Sequence, residues 1–372
     1  MKPLPHQQKF LDENPRKALL NWEMRVGKSL PASIWINHPS RSGNTFIICK
    51  KKNKKSWQDF KTKATVLTKE DFRKVASTIK NPTAIVIDEI HWFGSGLFVK
   101  GRSGLATALY KIIKENPECD ILGLSATMIG QDAWRLHTLL CYIGVYYDWK
   151  EWRNKFFILQ RMPFLRFPAW FPKAGWRDEI QSIREKHCSI IPLKDVVENL
   201  PPAKSRIIKI KQKKYTKPTD EIVTWVHEHR HEQQGKIKEI LELGYNKLII
   251  VANYTTQIDE LARELVKEKP VFILDGRTKD GEATIKEAQD APEGYLIVQS
   301  GCGEGWDGWM FGAMIFVSMS HSCTNHTQML GRQRHPKHLK VTETIYLLGG
   351  RWDKRIYDCV MAGQSFNPND YE

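Results

Sequence analysis

A glycine, a lysine and a hydroxyl in succession, Gly27-Lys28-Ser29 within NWEMRVGKS (21–29), form the second half of a phosphate-binding loop. The full pattern, G-x-x-x-x-G-K-[ST], works because backbone N–H groups cradle phosphate oxygens, the lysine reaches the terminal phosphates and the hydroxyl holds Mg2+. Here Trp22 stands where the first glycine belongs, with Arg25 and Val26 inside the loop. The tripeptide alone is a weak signal, since it also occurs on ordinary surfaces. Its flanks strengthen it. KALLNW before it is an apolar run of strand length, and LPASIWINH after it can form a helix with Pro31 near the first turn, where a missing N–H costs least. Strand, loop and helix start present free N–H groups and a positive dipole end to an anion.

About sixty residues later, TAIVIDEIHWF carries an apolar strand, Ile85 to Ile87, that ends in Asp88, Glu89, Ile90 and His91. Two adjacent acids at a strand's C-terminal end suit hydrolysis of a Mg2+-nucleotide: Asp88 to hold the metal, Glu89 to orient or deprotonate the attacking water. Each half could be a polar turn, but both in one chain and in this order imply ATP and Mg2+ as ligands. A third strand, ILGL (121–124), is followed by Ser125, Ala126 and Thr127, small residues that can link a metal site to a moving part.

The elements that must position these residues are legible as a β-α alternation. Apolar strand candidates at 18–22, 46–49, 84–87 and 121–124 alternate with helix-length segments, and the pattern restarts at 206–210, 248–252, 271–274, 295–298, 313–317 and 343–347. That is an α/β chain with two mostly parallel sheets flanked by helices. In such sheets ligands bind beyond the strand C-termini, where Lys28, Asp88 and Ser125 fall. The expected division is 1–195 and 196–372, with an aromatic and basic insertion at about 142–177. In the insertion, aromatics can stack on bases while Lys and Arg neutralise phosphates, or the aromatics can pack on the first lobe. Phe156, Phe157 and Leu159 read as buried there, Trp170 and Trp176 as not buried.

The balance of 57 Lys and Arg against 42 Asp and Glu, a net +15, exceeds what solubility requires and points to a polyanion, nucleic acid before an anionic membrane. Lys50, Lys51, Lys52, Lys54 and Lys55 form a charge run whose simplest reading is a solvated loop; following a strand on the ligand edge, it also points where a phosphate backbone can run. No apolar stretch reaches the roughly 20 residues needed to cross a bilayer, and MKPLPHQQKF lacks a signal peptide's apolar core, so a cytoplasmic protein without membrane partners is expected. Seven cysteines with no C-x-x-C pair argue against disulfides and cysteine-bound zinc. His227, His229 and His231 alternate, which on a helix points them apart, so a solvated helix is expected there rather than a metal site.

Taken together, GKS, DEIH and SAT resemble motifs I, II and III of the superfamily 2 helicases and translocases, with DEIH a DEAH-like box. Gln7 is similar to the upstream glutamine that reads adenine. IICKKKNKKSW (47–57) and VLTKEDF (66–72) lie where motifs Ia and Ib touch the nucleic-acid backbone, KLIIVANYTTQIDEL (247–261) resembles motif IV, FILDGRT (272–278) the following strand and turn, VQSGCGEGWDG (298–308) motif V, and QMLGRQRH (328–335) motif VI. EMRVGKS and IIPLKDVVENLPPAKSRIIKIK (190–211), with Leu200, Pro201 and Pro202, lean towards the Swi/Snf-like branch. The resemblance implies two tandem RecA-like lobes and an ATP-driven motor, acting on duplex or branched DNA rather than RNA, with single strands also acceptable and the chain monomeric. Its compactness suggests a stand-alone motor of viral or mobile-element origin.

It also implies roles for residues. ATP falls to Gln7, Arg25, Val26, Gly27, Lys28, Ser29 and the ribose-contacting Asp307; Mg2+ to Ser29 and Asp88; catalysis to Lys28 and Glu89, with Gln328, Arg332 and Arg334 approaching the γ-phosphate; coupling to Ser125, Ala126 and Thr127. Nucleic acid falls to the five lysines, Thr68, Asn253, Tyr254, Gly276, Arg277, Ser300 and Gly301. Arg25, the alanine in Ser125-Ala126-Thr127 and His335, which stands where a second arginine is expected, depart from the pattern. Residues two apart on a helix point about 200° from each other. Arg332 and Arg334 therefore face one phosphate only if the helix is irregular, and Pro336 favours that by biasing His335 away from helical geometry. A nucleic-acid clamp or annealing protein that binds ATP as a switch and hydrolyses little is the alternative.

Overall fold

The structure is a computed structural model describing residues 2–95, 97, 104–128, 133–161, 168–173, 175–198, 203–211, 233–303, 305–335, 341–349, 351–363 and 366. The histidines at 227, 229 and 231, the 200–202 segment and Pro336 lie outside those residues. The chain divides into two compact units, Met1–Val196 and Val197–Glu372.

The first unit contains β1 (Lys17–Trp22), β2 (Thr45–Cys49), β3 (Thr65–Thr68), β4 (Ala84–Asp88), β5 (Asp120–Leu124), β6 (Phe157–Gln160), β7 (Ala169–Pro172) and β8 (Ser189–Ile191). Its helices are α1 (Pro5–Glu13), α2 (Ser29–Ile36), α3 (Lys54–Asp59), α4 (Lys69–Val75), α5 (Gly104–Glu115), α6 (Ala133–Tyr142), α7 (Trp149–Phe156) and α8 (Trp176–His187). Six strands form one parallel sheet in the order β3-β2-β4-β5-β1-β8, and β6 and β7 form a separate antiparallel hairpin. The central strands are buried on both faces, which is why Phe46 to Cys49, Ile85 to Ile87 and Ile121 to Leu124 read as unbroken runs. Gly123, in the middle of β5, is required for packing: a Cβ there would lie 2.4 Å from Ile90 Cδ1 and 2.8 Å from Leu19 Cδ2. Ile90 is thereby seated over the sheet, anchoring the turn that follows Asp88.

The second unit contains β9 (Lys204–Lys209), β10 (Lys247–Ala252), β11 (Val271–Leu274), β12 (Gly294–Gln299), β13 (Ala313–Phe316) and β14 (Glu343–Leu348), with α9 (233–242), α10 (Thr255–Leu265), α11 (Gly281–Asp290), α12 (Cys323–Gln333) and α13 (Arg351–Met361). All six strands pair in parallel in the order β11-β12-β10-β13-β14-β9. The two-residue period of a strand separates its faces. Ile249, Val251, Leu296, Val298, Met314 and Phe316 join one apolar cluster; Leu248, Ile250, Ile297, Ile315 and Val317 join the other. Each fully buried side chain of this size contributes about 1.5–3 kcal/mol, so the sheets dominate the stability of both units.

The lysine run is partly ordered: Lys51–Asn53 forms a 3-10 turn and leads into α3, because Trp57 is buried and pins this short helix to the unit, while Lys51 and Lys55 stay exposed. Two expectations are corrected. Leu159 is 50% exposed, since it lies on the β6–β7 hairpin outside the core. Trp170 and Trp176, expected to stand clear, are half-buried and pack on the core of the first unit. In the same region Phe157 stacks on Trp134 with ring centroids 3.5 Å apart, and Trp152 and Phe156 are buried. Most described aromatics of the insertion pack on the first unit, while Tyr146 is 66% exposed.

None of the seven cysteines is in a disulfide. Among the described residues no helix is long and apolar enough to cross a membrane, and no group of three or more His, Cys, Asp or Glu could hold a metal ion.

Candidate functional site

The first unit gathers its polar groups at the C-terminal ends of neighbouring strands. β1 leads into the 23–28 loop, β5 into Ser125 and β4 into Asp88-Glu89, and these three strands are adjacent in the sheet. Trp22 is explained as the last residue of β1: fully buried, edge-on to His6 and Phe10, with its indole N–H donating to Ser189 Oγ at 2.8 Å. The tight part of the loop starts after it. Arg25 has φ +70° and Gly27 φ +85°, and left-handed turns of this kind let successive N–H groups line a concavity. The N–H groups of Gly27 and Ser29 meet no backbone carbonyl among the described residues, as expected at the start of α2.

Gln7 braces this loop from α1. Its Nε2 donates to Gly27 O at 2.8 Å and its Oε1 accepts from Leu4 N at 2.8 Å, while His6 Nε2 lies 3.0 Å from Val26 O. A Cβ at position 27 would come 2.6 Å from Gln7 Nε2, so the glycine serves both the positive φ and the approach of Gln7. Lys28 Nζ donates to the carbonyls of Trp22 at 2.9 Å and Glu23 at 3.2 Å.

Across β5, Asp88 and Glu89 diverge. Glu89 takes the left-handed conformation, φ 56° and ψ 52°, which turns the chain from β4 into the 3-10 segment Ile90–Phe93. Asp88 Oδ2 accepts from Asn53 Nδ2 and Trp57 Nε1, both at 3.0 Å. Both donors meet the same oxygen and leave Oδ1 for a further ligand. Burial, then the charge of Glu89, pushes the Asp88 carboxyl up despite those hydrogen bonds and Lys28. A divalent cation would relieve that repulsion, so the donor set fits Mg2+.

Glu89 is held charged. Its Oε2 lies 3.1 Å from His91 Nδ1 and accepts from Ser125 Oγ at 3.2 Å, while Nδ1 and Oγ are 2.9 Å apart. With the hydroxyl proton given to Glu89, Nδ1 is the protonated ring nitrogen. Burial alone would raise the Glu89 carboxyl; the hydrogen bond and charge of His91, with Lys28 and Lys50, bring it down to about 2. Ser125 Oγ also accepts from Thr127 N at 3.1 Å, so Ser125 and Thr127 join the triangle through real contacts, while Ala126 offers only its half-buried backbone position.

Sequence reasoning missed Asn53, Trp57 and the placement of His91. A signal existed for the first two: Asn53 and Trp57 are four apart, the spacing that sets two side chains on one helical face.

In the second unit the ends of β10, β12 and β13 carry a neutral network, beside a buried ion pair in which Lys236 Nζ donates to Asp353 at 2.6 Å and to Val317 O at 2.7 Å. Asn253 donates from its backbone to Ser318 Oγ at 2.9 Å and from Nδ2 to Met319 O at 3.1 Å, and its Oδ1 accepts from Ser300 Oγ. Ser318 Oγ donates to Gln257 Oε1 at 2.5 Å, and Gln257 Nε2 to Gln233 Oε1 at 3.0 Å. Tyr254 precedes α10 half-buried, its phenol pushed up to about 12 by burial. Gly276 N donates to Gln299 Oε1 at 3.2 Å, Arg277 bridges Asp259 and Asp275, each at 2.6 Å, and Gly301 is exposed. Gln328 and Arg332 are buried on α12: Arg332 donates to Gln328 O at 3.2 Å and to Trp306 O at 3.0 Å. Asp307 is half-buried, its carbonyl accepting from Gln289 Nε2. The helix ends at Gln333, and Arg334 has φ −86° and ψ 126°, so helical spacing does not tie the two arginines to opposite directions. His335 is half-buried, 6.0 Å from the Trp309 ring.

Of the nucleic-acid candidates in the first unit, Thr68 is buried and caps α4, accepting from Asp71 N at 3.0 Å, while Asp71 accepts from Thr68 N at 3.3 Å. Lys51 and Lys55 are exposed, Lys54 lies 3.5 Å from Asp71 and Lys50 lies over the Trp92 ring; the Lys52 side chain is outside the described set.

No family model matches the sequence, and no curated protein matches it. Among solved structures, the chain is similar to the Pyrococcus furiosus Hef helicase domain, with 12% identity, 95% of this chain and 97% of that one covered, and a TM-score of 0.54. The likeness is one of fold: two tandem RecA-like lobes, each a parallel sheet flanked by helices, with the β6–β7 hairpin outside the sheet of the first. A likeness to the Sulfolobus solfataricus SWI2/SNF2 ATPase core in complex with dsDNA has 13% identity, coverage of 97% and 91%, and a TM-score of 0.44.

Proposed function

We propose that this chain is an ATP-dependent motor on nucleic acid, a DNA translocase or helicase nearest the Swi/Snf-like branch, with duplex or branched DNA as its track. The observation that carries the reading is the set of Lys28, Asp88, Glu89 and Ser125 on three adjacent strand ends, with Glu89 ionised in contact with His91 and Ser125. ATP is the substrate. Loop N–H groups and Lys28 bind its phosphates, Ser29 and Asp88 hold Mg2+, and Glu89 accepts a hydrogen bond from the attacking water. Bound Mg2+ supplies Lewis-acid neutralisation of phosphate charge.

By the same resemblance Gln328, Arg332 and Arg334 respond to the γ-phosphate and Asp307 to the ribose; an attraction present before hydrolysis and absent after it makes their grip depend on nucleotide state. The net charge of +15 and the lysines after β2 support a polyanionic track.

Steady-state ATP hydrolysis, measured without nucleic acid and with duplex, single-stranded and branched DNA and RNA in parallel, tests this. Hydrolysis stimulated most by duplex or branched DNA is expected. Nucleotide binding with no turnover on any of them would identify an ATP-switched clamp instead.

A further inference from the structure

One aromatic side chain on the same sheet edge has no part in the site above. Trp92 is 44% exposed, unusual for an indole so close to a buried catalytic turn. Its backbone N–H donates to Glu89 O at 3.1 Å and its ring lies 5.4 Å from that of His91. Two ammonium groups lie against it: Lys50 Nζ is 4.5 Å and Lys69 Nζ 4.4 Å from the ring centroid.

The topology makes this juxtaposition. β3, β2 and β4 are neighbours in the sheet, and all three run in the same direction. Lys69 follows β3, Lys50 follows β2 and Trp92 follows the turn after β4, so three separate chain segments converge on one ring. Both distances are measured to a single centroid, so the two ammoniums are no more than about 9 Å apart. Two like charges at that range repel each other. The ring's quadrupole holds them there only in part, because an exposed cation–π contact is weak. The Glu89 carboxylate feels Lys50 but is shared with His91 and Lys28, so a further anion beside the pair is still favourable. Lys69 also has Glu70 Oε1 at 3.6 Å, an exposed carboxylate that a stronger anion can replace.

We propose that Trp92 is a positioning residue that holds Lys50 and Lys69 as a paired receptor for the phosphates of a nucleic-acid strand. This rests on the nucleic-acid reading given above, which already included Lys50 and the 66–72 segment that holds Lys69, and adds Trp92 as the group that organises them. Long lysine side chains ordinarily lose rotamer freedom when they engage a phosphate; held on the ring beforehand, they lose less. Because Trp92 follows β4 in the same turn that presents Asp88 and Glu89, the receptor adjoins the hydrolytic turn.

The test is a double-mutant cycle on the full chain, read by fluorescence anisotropy with a labelled DNA duplex and its single strand over about 50–200 mM salt. Lys50→Gln with Lys69→Gln is expected to weaken duplex binding about tenfold and to lower the salt slope by about two, one phosphate for each lysine. Trp92→Leu should weaken it about fivefold, and Trp92→Phe, which keeps an aromatic face, should stay within about twofold of wild type. In the Trp92→Leu background the paired lysine substitutions should cost only about threefold, because the ring no longer organises them.

Full additivity of the ring and lysine substitutions would overturn the positioning role. Equal loss with Trp92→Phe and Trp92→Leu would overturn it also. Losses confined to the single strand would make the ring a base-stacking surface and reject the phosphate receptor. Wild-type binding that none of these substitutions alters removes this inference alone, whereas a wild-type chain that binds neither DNA removes the nucleic-acid reading with it.

Discussion

The two lobes build the same kind of sheet and finish it differently. In the first, the strand ends deliver charged groups, Lys28, Asp88, Glu89 and Lys50, packed closely enough to displace the carboxyls in opposite directions. In the second, the ends of β10, β12 and β13 deliver Asn253, Ser300 and Ser318, which close a neutral network with Gln257 of α10, and the charges beside them are already paired, Lys236 with Asp353 and Asp275 with Arg277. A charged edge is costly unless a ligand completes it, whereas a closed neutral network is stable alone. The first lobe thus leaves charged groups for a ligand to complete, and the second closes its polar groups on one another, the buried Gln328 and Arg332 among them.

The largest effect expected from this contrast is at Lys28. Lys28→Ala should lower ATP hydrolysis by about a hundredfold to a thousandfold, the range for removing one preorganised electrostatic contact, while DNA affinity by anisotropy stays within about threefold. Equal loss of both would place the two functions on one surface.

Next come the arginines of α12 and its end. Arg332→Ala and Arg334→Ala should each lower hydrolysis by about a hundredfold, but only Arg332→Ala should also destabilise the lobe, by about 1–3 kcal/mol in urea unfolding, since it leaves the Trp306 and Gln328 carbonyls without their donor. His335→Ala should matter little at pH 8. A crippled His335→Ala with a harmless Arg334→Ala would assign the second contact to the histidine.

Stability should also differ with pH. His326 is buried beside Phe316 and Tyr346, its imidazole lowered to about 4 by burial. A depressed histidine is neutral in the folded state and takes up a proton on unfolding below about 6.5. Stability from this group is therefore complete above pH 6.5 and falls as pH drops towards 4, by up to about 3 kcal/mol. Thermal unfolding of His326→Phe should show a flatter acid limb than wild type; parallel limbs would mean that His326 does not control it.

The smallest effect is expected at Ser125. Ser125→Ala removes one of the two contacts on Glu89 Oε2 and should reduce DNA-stimulated hydrolysis by about tenfold, with His91 still in place. Wild-type stimulation in this variant would show that the hydroxyl does not transmit anything.

How much of this was legible beforehand follows from burial. Strands such as Ile85–Ile87 and Leu248–Val251 announce themselves because both faces are covered and every residue is apolar. The edge strands β3 and β8 are short and only partly covered, so TVLT and SII carry no comparable run. The hairpin β6–β7 was hidden for the same reason. That Lys28, Asp88 and Glu89 fall at or just beyond strand ends was readable because their spacing from apolar strands is local. Asn53 and Trp57 on Asp88, and His91 with Ser125 on Glu89, depend on which strands become neighbours, and the order β3-β2-β4-β5-β1-β8 is not written in any single segment. Arg25 illustrates the reverse: it looked like a defect in the loop, yet its positive φ supplies the turn a glycine would have made.

The claim that the first lobe's edge hydrolyses ATP through Glu89 is tested most directly by single-turnover hydrolysis of ATP bound to Glu89→Gln in the presence of duplex DNA. The amide keeps the size of the side chain and removes its charge, leaving Asp88 to hold the metal. ATP should bind within a few-fold of wild type and remain intact, with hydrolysis slowed by about a hundredfold or more; turnover at a near wild-type rate would contradict the assignment.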